Sequence, residues 1–324
     1  MIKPVIVYIF TSLLLLAAAP GYSQSYDVDL EIKEISNTAF NPGRTLLLPD
    51  PFDSIKALKT LFPGKYYDLT QRSGYDNKVV NWQCKTCKVQ QYIDVNGLSE
   101  HPSFPYKDGV ATRLVNVINL TDAAGGRYKM LAFSHSTYDV DGFRTGRFSG
   151  GILGLAKFTK TDSGWLMRSF QPAIGAYGAF SSCPAPSALL IGEDQYAFLI
   201  RHNNGPGGGP FQVSYFLIAG VNGKYSQAMA AYSTDRTNTE QDESSWESKL
   251  SVPVSTKKYF RDIVITTTGR YFANKEEDVL PELAEKIKGI RSCDFRFTKR
   301  FVYSAAKGYE DIGAENIILT DVKR

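Results

Sequence analysis

Histidine, cysteine and tryptophan are scarce in this chain: 3 His, 4 Cys and 3 Trp among 324 residues. Each scarcity excludes some chemistry. His101, His135 and His202 do not stand at metal-ligand spacing, and no H-E-x-x-H pattern occurs, so no zinc site and no metal is expected. No G-x-S-x-G elbow occurs either. Phe148-Ser149-Gly150-Gly151 contains a Ser-Gly-Gly but not the acid that precedes the serine in a trypsin-like protease. The histidines leave too little chain for the two barrels of such an enzyme. No run of five Lys or Arg appears, and the net charge of +4 is spread over the whole chain. The concentrated basic patch of a nucleic-acid binder is therefore missing. No cofactor motif is found and none is expected. No fixed-period repeat is found, and the hairpin signals come at uneven spacing, which favours a sandwich over a propeller.

Aromatic residues are plentiful, with 19 Tyr and 19 Phe. They favour strands, so their first implication is a β-rich fold; a surface that stacks sugars is the sharper implication. The strand pattern is clearest from Phe148 to Ser233. Gly151–Phe158 and Trp165–Phe170 flank the turn Asp162-Ser163-Gly164. Ala188–Ile191 and Gln195–Arg201 flank Gly192-Glu193-Asp194. Phe211–Ala219 and Lys224–Tyr232 flank Val221-Asn222-Gly223. Asn-Gly between apolar runs is a strong hairpin signal, because both residues tolerate the positive φ of a type I′ turn. Val110–Leu120 and Arg127–Ser134 predict one more hairpin. Tyr26–Ile35, Lys88–Val95 and Tyr259–Thr268 read as further strands. Cys293, Phe295, Phe297, Phe301 and Tyr303 alternate with polar residues, the pattern of a half-buried strand. Lys299 interrupts that series and predicts a bulge or a sheet edge. Tyr66–Asn81 reads as irregular and Asp235–Glu247 as an acidic loop.

Two helices are expected. Asp53 is placed to cap a helix that buries Ile55, Leu58, Leu61 and Phe62 and ends at Pro63-Gly64. The second covers Asn274–Ile287, with Pro281 in its first turn. The fold class is thus mainly β: an antiparallel meander of hairpins forming a sandwich-like or partly propeller-like domain, with two peripheral helices.

The N-terminus reads as a secretory signal. Met1-Ile2-Lys3 is a basic start, Val5–Ala19 is nearly all apolar, and Gly21-Tyr22-Ser23 supplies small residues for cleavage before Gln24. No later segment is apolar enough to span a bilayer. The expected organisation is a signal peptide at 1–23, a mixed segment at 24–105 and a main β domain at 106–324, with 24–324 as a single domain the alternative. The location is secreted or periplasmic. In that oxidising setting, four cysteines imply two disulfides, or one disulfide and two thiols. Cys84–Cys87 with Cys183–Cys293 is the favoured pairing, and it leaves no free thiol. The strand reading of Lys88–Val95 argues against a thioredoxin-like role for Cys84-Lys85-Thr86-Cys87, which needs a helix there.

Candidate binding residues are His135, Asp139, Asp141, His202, Asn203 and Asn204. Asp139, Asp141 and Gly142 resemble part of a calcium loop without its terminal Glu. His202-Asn203-Asn204 opens a glycine-dense loop. Asp27, Asp29 and Glu31 share one strand face, the solvated side. No catalytic constellation emerges. The expectation is a non-catalytic binding or structural module of the cell envelope or exterior. The alternative is a hydrolase of an extracellular polymer such as a glycan.

Overall fold

Alternation decides most of the architecture. In the computed structural model, residues 30–41, 43–70, 78–98, 100, 102–104, 106–138, 146–204, 210–238, 240–273 and 279–324 are described. The elements in chain order are β1 (Lys33–Glu34), β2 (Leu47–Leu48), α1 (Ser54–Leu61), β3 (Lys65–Asp68), β4 (Lys78–Gln83), β5 (Ile93–Asp94), β6 (Val110–Thr121), β7 (Arg127–Thr137), β8 (Gly151–Thr161) and β9 (Gly164–Tyr177). Then follow β10 (Ser187–Gly192), β11 (Gln195–Asn203), β12 (Phe211–Val221), β13 (Lys224–Thr237), β14 (Ser245–Ser251), β15 (Ile263–Phe272), β16 (Ser292–Ser304) and β17 (Gly308–Lys323). The first sheet runs β1-β4-β6-β7-β8-β9-β2, with β3 beside β4 and β5 beside β9. The second runs β10 to β17 in sequence order.

The two sheets meet face to face. Met130, Leu153, Leu155 and Ile174 of the first pack on Phe198, Ile200, Phe216 and Ile218 of the second. The opposite face of the first sheet carries an aromatic core of Phe62, Trp82, Phe104 and Phe133, and Leu58 and Leu61 of α1 pack against it. The Asp53 carboxylate accepts the Lys56 N–H at 2.9 Å, so the cap expected for α1 is formed. The second sheet curls. Met229, Ile265, Phe301 and Tyr309 share one core, and the Ala228 carbonyl lies so close to Gly308 that a Cβ there would sit 2.4 Å away. The predicted hairpins all form, and Asn222 and Gly223 take φ of 51° and 79°.

Several expectations need correction. No second α-helix forms among the described residues; residues 274–278 lie outside them. Across 279–290 the chain makes successive turns, with Leu283 N bonded to Leu280 O and Lys286 N to Leu283 O. A single i→i−4 bond, Ile287 N to Leu283 O, forms in this segment, and the left-handed Gly289 (φ 73°) ends the run. The apolar residues still do the expected work, since Leu280, Leu283 and Ile287 are buried against β15 and β16. Of the described part of the first predicted strand, residues 30–35, only Lys33–Glu34 form a strand, and of Lys88–Val95 only Ile93–Asp94 do, with Gln91 bridged singly to Ser103. The strand expected from Tyr259 begins at Ile263 and continues to Phe272. The segment read as irregular carries most of β3 and of β4, and the acidic loop is trimmed by β13 and β14. Strand β17 was not anticipated at all.

Cys84 and Cys87 are bonded. Cys183 and Cys293 are not: both are free and buried. Cys183 belongs to the core between the sheets, whereas Cys293 lies in the core on the far face of the second sheet. A disulfide needs Cα atoms about 4.4–6.8 Å apart, which two residues in separate cores do not satisfy. Burial pushes both thiols up, which keeps them protonated and unreactive while the chain is folded. Thiol titration should therefore read almost none in the native protein and two after unfolding without reductant. A reading of zero after unfolding would restore the second bridge.

Candidate functional site

Three segments converge where β9 ends and β11 gives way to β12. Residues 146–150 lead into β8, residues 178–184 follow β9, and Asn203-Asn204 closes β11. Together they enclose a cleft of about 330 Å³, lined by Arg147, Gly178, Ala179, Phe180, Ser182, Pro184, Asn203, Asn204 and Phe211.

The turn after β9 is held against its own preference. Phe180 and Ser181 have φ of 52° and 53°, and Gly178 has φ of 79°. Side-chain-bearing residues in that region cost free energy and persist only where surrounding contacts enforce them. Here Phe180 N bonds the Arg147 carbonyl at 3.2 Å and Ser181 N the Ser149 carbonyl at 2.8 Å. Gly178 has no alternative residue: a Cβ would lie 2.2 Å from the Ser182 carbonyl oxygen.

His202 serves this turn. It is buried, and its Nδ1 accepts the Gly178 N–H at 2.8 Å. Burial lowers its pKa, with Asp94 opposing. Its imidazole is a strut beneath the cleft. Asn204 Nδ2 donates to Asn96 Oδ1 at 2.5 Å, and Asn96 Nδ2 donates to the Gly178 carbonyl at 3.3 Å. Asn96 is oriented by Asp94, whose carboxylate accepts the Asn96 and Leu98 N–H groups. These amides tie β5, β9 and β11 into one floor. The rim is aromatic: Phe148, Phe180 and Phe211 are each more than a third exposed, and the Arg147 guanidinium lies 5.7 Å from the centre of the Phe148 ring.

Of the sequence-derived candidates, His202, Asn203 and Asn204 come together here. His135 does not join them. It is fully buried in the aromatic core on the other side of the first sheet, among Phe62, Trp82, Phe104 and Phe133. Its Nδ1 meets Thr112 Oγ1 at 2.7 Å, and burial drives its pKa down to about 3. Asp139, Asp141 and His101 lie outside the described residues, as do Asp27 and Asp29; Glu31 pairs with Lys65 at 2.7 Å. Arg147, Phe180, Phe211 and Asn96 were missed. Their signal is faint, because an exposed Phe in a loop looks like any other aromatic until the fold sets it beside amides.

No carboxylate lines the cleft among the described residues. Nor do three or more His, Cys, Asp or Glu gather as metal ligands among them. The cleft offers flat apolar rings, amide donors and acceptors, and a guanidinium. That combination suits noncovalent recognition of a ligand with both polar edges and apolar faces. Compared with protein families, with curated proteins and with solved structures, the chain finds no match.

Proposed function

We propose that the protein is a non-catalytic binding module of the cell envelope or exterior, and that its ligand is a glycan held in the cleft at the end of β9 and β11. The observation that carries this reading is the lining itself: exposed Phe180 and Phe211 beside the side-chain amides of Asn203 and Asn204, with the exposed Phe148 ring next to the lining Arg147. Sugar rings present C–H faces that pack on aromatic rings and hydroxyls that bond to amides. A general acid and a base or nucleophile, which glycoside hydrolysis requires, are not among the described lining residues. Export rests on the N-terminal pattern of basic start, apolar run and small residues. No helix among the described residues is long and apolar enough to cross a membrane.

The test is titration of the exported protein, whose intact mass should begin at Gln24, with soluble neutral oligosaccharides of glucose, xylose and N-acetylglucosamine. One of these series should bind, and Phe180→Ala or Asn203→Ala should weaken it by about tenfold or more. Both positions are at the surface, so unfolding midpoints should hold. Shortened oligosaccharides accumulating in the mixture would instead favour a hydrolase of extracellular polymers. Binding untouched by both substitutions would move the site away from the cleft.

A further inference from the structure

Strand β11 runs from the cleft to a second cavity at the other end of the sandwich. Here the tips of the β6–β7 and β10–β11 hairpins touch: Ala123 N bonds Asp194 Oδ1 at 2.8 Å, and the Tyr196 hydroxyl donates to the Thr121 carbonyl at 3.1 Å. Beneath them lies a cavity of about 150 Å³, floored by Leu120, Met130 and Phe198. Three polar groups at this cavity have ends unclaimed by any described residue. The first is the Lys157 ammonium, half-buried, which lies 4.4 Å from the centre of the Tyr128 ring and makes no hydrogen bond or ion pair among the described residues. The second is the Tyr225 hydroxyl, on a ring more than half sheltered from water. The third is Asp194 Oδ2, whose sister oxygen is occupied by Ala123. Asp122 also faces the cavity, but its two oxygens are taken by Gly126 N and the Tyr128 hydroxyl.

The charges decide what fits. A half-buried ammonium that no described carboxylate meets in a direct ion pair is costly, and a carboxylate brought into contact with it restores what burial removed. Burial indeed pushes the Lys157 amine below its ordinary value, with Asp122 only opposing. A simple anion, however, would also face Asp122 and Asp194, and a simple cation would face Lys157. A molecule carrying both charges a few ångströms apart meets each with its opposite. We propose that this cavity binds a small zwitterion of the α-amino-acid class, its carboxylate on Lys157 and Tyr225 and its ammonium on Asp194. The apolar floor takes a short aliphatic side chain, and the volume excludes a polymer.

The experiment is a calorimetric or NMR titration of the purified protein at neutral pH with L-alanine, propanoate and propylamine as separate probes. L-Alanine should bind saturably. Propanoate and propylamine, each lacking one charge, should bind at least about tenfold more weakly. Lys157→Gln should weaken alanine by a similar factor, and Tyr225→Phe, which removes one hydroxyl and no charge, severalfold. Phe180→Ala in the distant cleft should leave alanine affinity unchanged. Propanoate binding as well as alanine would overturn the proposal. So would the absence of saturable alanine binding, or unchanged affinity in Lys157→Gln. If Lys157→Gln fails to fold, Tyr225→Phe carries the test, and unchanged affinity there overturns the proposal equally.

Discussion

Phe297→Ala should destabilise the protein by about 3–5 kcal/mol, while Arg300→Ala on the same strand should stay within about 0.5 kcal/mol. The two residues are three apart on β16 and so point to opposite faces of the second sheet. Phe297 is buried among Trp246, Tyr271, Leu283, Ile287 and Phe295, and its ring stacks on that of Phe295 with centroids 6.1 Å apart. Truncation removes its burial and opens a cavity that the strands on either side keep from closing. Arg300 faces outward. Its guanidinium reaches Asp262 at 3.5 Å, an ion pair exposed enough for water and salt to screen. Lys299 between them explains why the core face is interrupted. Its ammonium is held by Glu282 at 2.5 Å and Asp311 at 2.8 Å, at a register shift between β16 and β17. The lysine thus pins both the 279–290 turns and β17 to the strand. Denaturant melts of the two variants decide the point, and matching midpoints would refute the two-faced reading of β16.

What could be read from residues alone follows the same division. A strand with one wet and one dry face writes its period into the sequence, so β16 and the hairpins from β6 to β13 were legible. Strand β17 was not: Ile312, Ile318 and Val322 stay exposed, and the left-handed Gly313, Asn316 and Asp321 break its alternation. The second helix was misread because Leu280, Leu283 and Ile287 have helical spacing, yet isolated turns between Pro281 and Gly289 bury the same residues. In the cleft, polar residues of one loop were visible as His202-Asn203-Asn204. Asn96 and Phe180 reach them from distant segments, and only the pairing of β5 with β9 brings those segments together. His135 stands out in sequence beside Asp139 and Asp141, and that neighbourhood carries no information about its burial.

Its burial makes the most exacting prediction. Trp82 Nε1 donates to Thr112 Oγ1 at 2.7 Å, and that hydroxyl meets His135 Nδ1 at 2.7 Å. Indole only donates, so the threonine accepts on one lone pair and donates its own O–H to Nδ1. The imidazole is therefore neutral, with its hydrogen on Nε2. Phe62 stacks on Trp82 at 5.4 Å and edges against His135, so apolar ring surface borders both partners of the hydroxyl. Thr112→Val keeps the shape and deletes the hydroxyl, stranding the indole N–H and Nδ1 at about 1–3 kcal/mol each. Thr112→Ser keeps the hydroxyl and should recover most of that loss. The same burial sets a pH dependence. The His135 pKa falls from its ordinary 6.5 to about 3 in the folded chain, so between those values the unfolded state holds more protons. Stability from this group is complete above pH 6.5 and declines as pH falls, by at most about 1.4 kcal/mol per unit. His202, also lowered by burial, acts in the same direction, and its protonation at Nδ1 would release Gly178. Surface carboxylates held below their usual range, such as Asp122 and Glu310, add their loss only at more acid pH. His135→Leu should therefore flatten the decline between pH 6.5 and the carboxylate range, and an acid-unfolding curve that superposes on the parent's would show that His135 is not the group responsible.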